Sequence, residues 1–238
     1  MSGHSKWSTI KHKKAIEDNR RGKVFTKLGR AISIAAKEGG PETGSNFKLR
    51  LAVEKAKQFN MPKKNIERAI ERGSSKGGGE GLIEAVYEGY GPMDTAIMVE
   101  VVTDNKNRTA AEIKKVFERG GGRLGQSGSV AFLFKKIGRI LLKKDNDKDS
   151  QMLKLIDLGA EDLTETEEEI EAIVAANQLA QMKQAIDTAG FTVLEAELSF
   201  VALNYLNLDD TAKEKVSGFL ESLDDLDDVL EIYTNLKL

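Results

Sequence analysis

The chain has no cysteine among its 238 residues, two histidines, three prolines and a single tryptophan. Without cysteine there is no disulfide, no thiolate zinc site and no cysteine nucleophile. His4 and His12 by themselves do not make an imidazole-rich metal centre. No apolar run approaches the roughly 20 residues that a bilayer-spanning helix needs. The N-terminus is basic but lacks an apolar stretch behind its charges, so it does not read as a secretory signal; a transit peptide is the weaker reading of it. A cytoplasmic protein is expected. The 40% hydrophobic and 31% charged residues suit an ordinary globular chain.

Acid is also scarce, but only at one end. The formal net charge is -2, yet residues 1–80 carry 19 Lys and Arg against 8 Asp and Glu. Residues 81–144 carry 11 against 7, and residues 145–238 carry 6 against 23. Such asymmetry points to one end that meets a polyanion and another that avoids it.

Breakers and periodicity divide the chain. The first part ends near Ser74-Ser75-Lys76-Gly77-Gly78-Gly79, a Gly/Ser linker. Before it, apolar residues at helical spacing predict helices over Val24–Lys37, Phe47–Gln58 and the stretch after Pro62, with Gly73 as a C′ residue. After it, Leu82–Tyr90 and Thr95–Thr103 flank Gly91-Pro92-Met93-Asp94 and read as a hairpin. A helix at Arg108–Arg119 and a strand at Ser129–Phe134 follow. Residues 139–200 then read strand, helix, two strands, helix, strand, the ferredoxin-like order. The tail adds a helix at Ala212–Leu223 and a strand at Val229–Thr234. The expected fold is α+β: an N-terminal three-helix domain (1–78), a discontinuous ferredoxin-like domain (79–136 and 204–238), and an acidic ferredoxin-like domain (137–203) inserted into it.

The predicted helix Val24–Lys37 carries the sharpest functional signal. At 100° per residue, Lys23, Lys27, Arg30 and Lys37 fall within about 80° of one another, opposite Phe25, Leu28, Ile32 and Ala35. No Asp or Glu occurs from Asn19 to Lys37, whereas a solvated face usually mixes signs. This predicts a polyanion-binding row, with a plain solvated face as the bland alternative. The preceding arm adds Lys6, Lys11, Lys13, Lys14, Arg20 and Arg21, with Trp7 among them. Cations take phosphates and an indole can stack on an unpaired base. Trp7 as a packing anchor is the alternative. His4 and His12 are either phosphate or base contacts or plain surface residues.

Two glycine patterns are set aside. Gly120-Gly121-Gly122-Arg123-Leu124-Gly125 satisfies G-x-G-x-x-G, and with Gln126-Ser127 it looks like a Walker A loop lacking its lysine. Both motifs need a strand before and a helix after. Here a helix precedes and a strand follows, so a helix C-cap and turn is the reading, with a backbone-exposing loop that approaches a large partner closely as the alternative. The block Asp104-Asn105-Lys106-Asn107-Arg108-Thr109 starts a helix; capping explains its acid and amides, while Lys106 and Arg108 remain open between cap and nucleic-acid contact.

Together these residues resemble the YebC family of bacterial regulators and related mitochondrial translational activators. Gly3-His4-Ser5-Lys6-Trp7, Ile10-Lys11-His12 and Gly22-Lys23-Val24-Phe25-Thr26-Lys27-Leu28 carry the resemblance. So do Tyr87-Glu88-Gly89-Tyr90-Gly91-Pro92, Thr103–Thr109, Gly121–Gly125 and Gly128–Phe132. The resemblance implies a three-domain fold without known catalysis, and nucleic-acid binding to DNA in some descriptions and to RNA or the ribosome in others. The expected function is therefore a non-enzymatic regulator of gene expression, needing no cofactor, metal or small-molecule substrate and meeting no membrane. A translation factor on ribosomal RNA leads, a transcriptional regulator on duplex DNA is the alternative, and a metal-dependent phosphoesterase using carboxylates stands behind both.

Overall fold

The computed structural model describes residues 18–75 and 81–237, with side chains from residue 21 onward. The chain divides into two compact units: residues 135–201 form one, and the described residues before and after them form the other.

The larger unit begins with α1 (Asp18–Gly39), α2 (Phe47–Gln58) and α3 (Lys63–Ser74). Their apolar stripes meet in one cluster built on Leu28, Ile32, Ala35, Leu49, Val53, Ala56, Ile66 and Ala69. Buried Asn46 sets the turn between α1 and α2. Its Oδ1 caps α2 by accepting from Leu49 N at 3.0 Å, and its Nδ2 donates to the Ala35 and Gly40 carbonyls. Gly73 does not cap α3 but lies inside it. A Cβ there would stand 2.1 Å from the Ser33 carbonyl oxygen, so the missing side chain lets α1 and α3 touch backbone to backbone. Ser33 Oγ donates to the Ala69 carbonyl at 2.8 Å in the same crossing.

The same unit holds an antiparallel sheet, β1 (Ile83–Tyr90), β2 (Ala96–Thr103), β3 (Arg123–Leu124) and β8 (Val229–Thr234), in the order β3-β1-β2-β8. Helices α4 (Lys106–Arg119) and α7 (Asp210–Asp224) cover one face. Ile97, Val99 and Val101 pack there on Ile113, Phe117, Phe219 and Leu220, with the Phe117 and Phe219 rings edge to face at 5.2 Å. On the other face Ile34 of α1 packs on Leu82 and Val102. From α2, Lys48 reaches Glu84 at 2.5 Å and Lys55 reaches Glu231 at 2.9 Å. The helical region is thus clasped to the first sheet within one unit.

The strand expected at Ser129–Phe134 does not form. Ala131–Leu133 is a 3₁₀ turn, and the next strand starts at Phe134. The cause is Glu88, buried on β1. Its carboxylate accepts from the backbone N–H of Gly128 at 2.7 Å, Val130 at 2.9 Å and Ala131 at 2.8 Å, which removes those donors from any ladder. The strand pairing in this stretch falls instead to β3, against Gly89 and Tyr90.

The smaller unit runs β4 (Phe134–Lys143), α5 (Lys148–Asp157), β5 (Asp162–Glu165), β6 (Glu169–Ala175), α6 (Leu179–Thr188) and β7 (Val193–Ala202), its sheet in the order β5-β6-β4-β7. This is the βαββαβ succession read from the sequence. Buried Arg139 on β4 meets Glu171 at 2.5 Å, Glu195 at 3.1 Å and Glu197 at 3.4 Å. Burial alone would lower the Arg139 guanidinium, and the three carboxylates more than reverse it.

Candidate nucleic-acid interface

The sequence places a row of cations on α1, and the structure gives that row partners in its own chain. Lys23 Nζ lies 3.1 Å from Asp225 Oδ1 and Lys27 Nζ 2.6 Å from Asp224 Oδ1. Arg30 bonds Asp228 and the Asp227 carbonyl, and Lys37 donates to the Leu82 carbonyl at 2.6 Å. The acids come from the end of α7 and the turn into β8, nearly 200 residues away. Absence of local acid therefore does not make an open face: among the described residues the row expected to meet a polyanion is engaged with carboxylates and carbonyls of its own chain. Its outer pair, Lys23–Asp225, is exposed on both sides and holds little energy. Its inner pair, Arg30–Asp228, is anchored on an aspartate only 3% exposed.

Asp228 also explains the block at the start of α4. Its Oδ2 lies 2.6 Å from Thr109 Oγ1, 3.0 Å from Thr103 Oγ1 and 2.8 Å from Arg108 Nη2. Burial would raise this carboxyl, but the bonds from Arg108 and Thr109, the charge of Arg30 and the Thr103 hydroxyl hold it below the ordinary aspartate value. Asn105 caps α4 by accepting from Arg108 N at 3.1 Å. Arg108, left open between cap and nucleic acid, is thus engaged within the chain, bridging Asp104 and Asp228. Lys106 is exposed, and its backbone carbonyl accepts from the Tyr87 hydroxyl at 3.0 Å. The glycine run after α4 acts as the cap and turn expected of it. Gly121 adopts φ +76, and Gly122 N returns to the Phe117 carbonyl at 2.8 Å.

The arm residues His4, Lys6, Trp7, Lys11, His12, Lys13 and Lys14 lie outside the described residues, as does the linker beyond Ser75; Arg20 is described only as part of α1, and Arg21 is exposed there.

What the sequence reading missed is a cleft of about 400 Å³ between α1 and α3. Gly29, Thr26 and Phe25 of α1 line it with Asn65, Arg68 and Arg72 of α3. Arg68 and Arg72 are exposed, and their side chains form no ion pair or hydrogen bond among the described residues. The signal was available: Lys64, Arg68 and Arg72 recur every four residues, which sets them along one side of a helix. Glu67 and Glu71 interleave with them, so the charges along the helix are of mixed sign. Among the described residues no group of three or more His, Asp or Glu side chains is placed to hold a metal ion. No described helix is long and apolar enough to cross a membrane. The carboxylates of β6 and β7 converge on Arg139.

Residues 5–76 match the TACO1/YebC protein N-terminal domain, and residues 82–236 match the TACO1/YebC second and third domain. Over 240 residues the chain is 47% identical to a probable transcriptional regulatory protein of Thermoanaerobacter pseudethanolicus, spanning 100% of this chain and 98% of that one. It is 45% identical to a probable transcriptional regulatory protein of Thermotoga petrophila, spanning 100% and 94%. The crystal structure of a conserved hypothetical protein from Aquifex aeolicus superposes with a TM-score of 0.86 at 39% identity, covering 97% of this chain and 96% of that one.

Proposed function

Because the chain belongs to the TACO1/YebC family, we propose that it is a non-enzymatic, nucleic-acid-binding regulator of gene expression acting in the cytoplasm. The observation that carries this reading is the charge distribution, 19 basic against 8 acidic residues in 1–80 and the reverse excess beyond 144. Counterion release from a phosphate backbone rewards such a basic end whatever the base sequence. In this reading the chain works as three parts, with residues 1–78 holding the polyanion and residues 79–136 with 204–238, and 137–203, supplying shape and partner contacts.

Two polymers fit. The relatives are probable transcriptional regulatory proteins, which supports duplex DNA as the target. Ribosomal RNA and a role in translation draw support from Trp7, an aromatic set among lysines where an unpaired base could stack. Crosslinking in cells, followed by sequencing of the bound nucleic acid, separates them. Reads concentrated on promoter DNA support the transcriptional reading, reads on ribosomal RNA support the translational one, and recovery of neither above background contradicts both.

A further inference from the structure

The cations that the sequence singles out on α1, and Arg108, are engaged within the chain, and two arginines that it passed over lead to a site. Lys23, Lys27, Arg30 and Arg108 end on aspartates of their own chain. Among the described residues Arg68 and Arg72 do not, and both stand on the rim of the cleft between α1 and α3. Four residues apart, they project from the same side of α3. Two guanidinium forks so placed suit phosphate, whose oxygens they can take in pairs. Asn65 adds an amide one turn earlier, and half-buried Phe25 adds a ring on the facing helix. The one carboxylate in the lining, Asp104, is already paired with Arg108 at 2.9 Å.

The floor is kept open by Gly29. A Cβ built there meets only the Met61 methyl, at 3.8 Å, so packing does not demand glycine. Glycine inside a helix is destabilising relative to alanine. The cleft's volume of about 400 Å³ lies near the lower end of ligand pockets, roughly 300–1,000 Å³. A volume of that order suits a single nucleotide, and a base that enters it has to leave the stack of a duplex. We infer that this cleft receives one unpaired nucleotide of a nucleic-acid strand, its phosphate on Arg68 and Arg72 and its base toward Phe25. The inference rests on the nucleic-acid reading above and adds the place and strandedness of one contact.

The test uses the full chain and fluorescein-labelled 12-mers: a single strand of RNA, the same strand in DNA, and a DNA duplex, each followed by fluorescence anisotropy. The variants are Arg68→Glu with Arg72→Glu, Gly29→Leu to fill the cleft, and, as a charge control, Lys114→Glu with Lys115→Glu on α4. Thermal unfolding checks each fold. The arginine pair is expected to lose at least about 10-fold in single-strand affinity, in line with loss of two phosphate contacts. Gly29→Leu should lose as much without any change of charge. The control should change by no more than about 3-fold, and duplex binding should fall far less than single-strand binding in both cleft variants. A preference of these losses for RNA or for DNA identifies the source of the strand. Single-strand binding by both folded cleft variants within twofold of wild type overturns the cleft and leaves the nucleic-acid reading standing. An equal loss on duplex overturns the unpaired nucleotide. Failure of the wild-type chain to bind any of the three overturns the reading itself, and the cleft with it.

Discussion

Glu88 shows how one side chain can dictate a loop. Three backbone N–H groups point at its carboxylate, and its own carbonyl accepts from Gly125 N at 2.7 Å. Burial would raise the carboxyl, but the three donors outweigh it and hold it below the ordinary glutamate value. A depressed folded value stabilises the fold above the unfolded value of about 4.3, and that contribution disappears as pH falls through the folded value. Glu88→Gln should therefore lower stability at pH 7 by about 1–3 kcal/mol, and the gap should narrow below pH ~4. Denaturant unfolding at the two pH values checks it; a gap that is the same at both would contradict the charge argument. Gly73 makes a different demand. Gly73→Ala would set a methyl against the Ser33 carbonyl, force α1 and α3 apart, and cost about 1–3 kcal/mol. A variant as stable as wild type in a thermal melt would contradict the close crossing. Neither role was legible in the sequence. Glu88 sits in a strand where alternation says nothing of a loop some 40 residues on, and Gly73 near a helix end looks like any cap.

At the scale of elements, the hairpin β1–β2, the helix α4, the whole βαββαβ succession and the tail strand were legible, because each has its own period and its own breakers. The strand expected at Ser129–Phe134 was not, since a side chain claimed its donors. The cation row on α1 was legible as a row, and its partners were not. Helical periodicity reports which residues share a face, while the acids of residues 224–228 arrive only through the fold. Charge reversal at Lys23, Lys27 and Arg30 would therefore damage the clasp as well as any binding, and it cannot separate the two. Asp228 is the sharper probe. Asp228→Asn keeps the size but takes the charge away from Arg30, Arg108 and the two threonines. It should cost about 1–3 kcal/mol at pH 7, since both arginines can turn to water. The native carboxyl is held low, so the difference is present above the unfolded aspartate value of about 3.9 and fades as pH falls through the folded one. Urea unfolding across that range checks it; equal stability at pH 7 would contradict the role given to Asp228.

The whole molecule sets a basic N-terminal region beside an acidic remainder, and the fold uses part of that opposition internally. The acids near residue 228 neutralise the inner cations of α1, and in this account Arg68 and Arg72 are left to meet a partner. The segment charges were plain in the sequence and the arginines of α3 were not, because mixed signs along a helix look the same whether a cleft lies beside them or not. The central claim is that this basic region holds a phosphate backbone, and the most direct measurement is the affinity of the full chain for duplex DNA and for single-stranded RNA as a function of salt. If about six phosphates are engaged, log K should fall linearly with log salt, with a slope near -5 on the duplex and near -4 on the single strand. An affinity for both polymers that is independent of salt, or no binding at low salt, would contradict it.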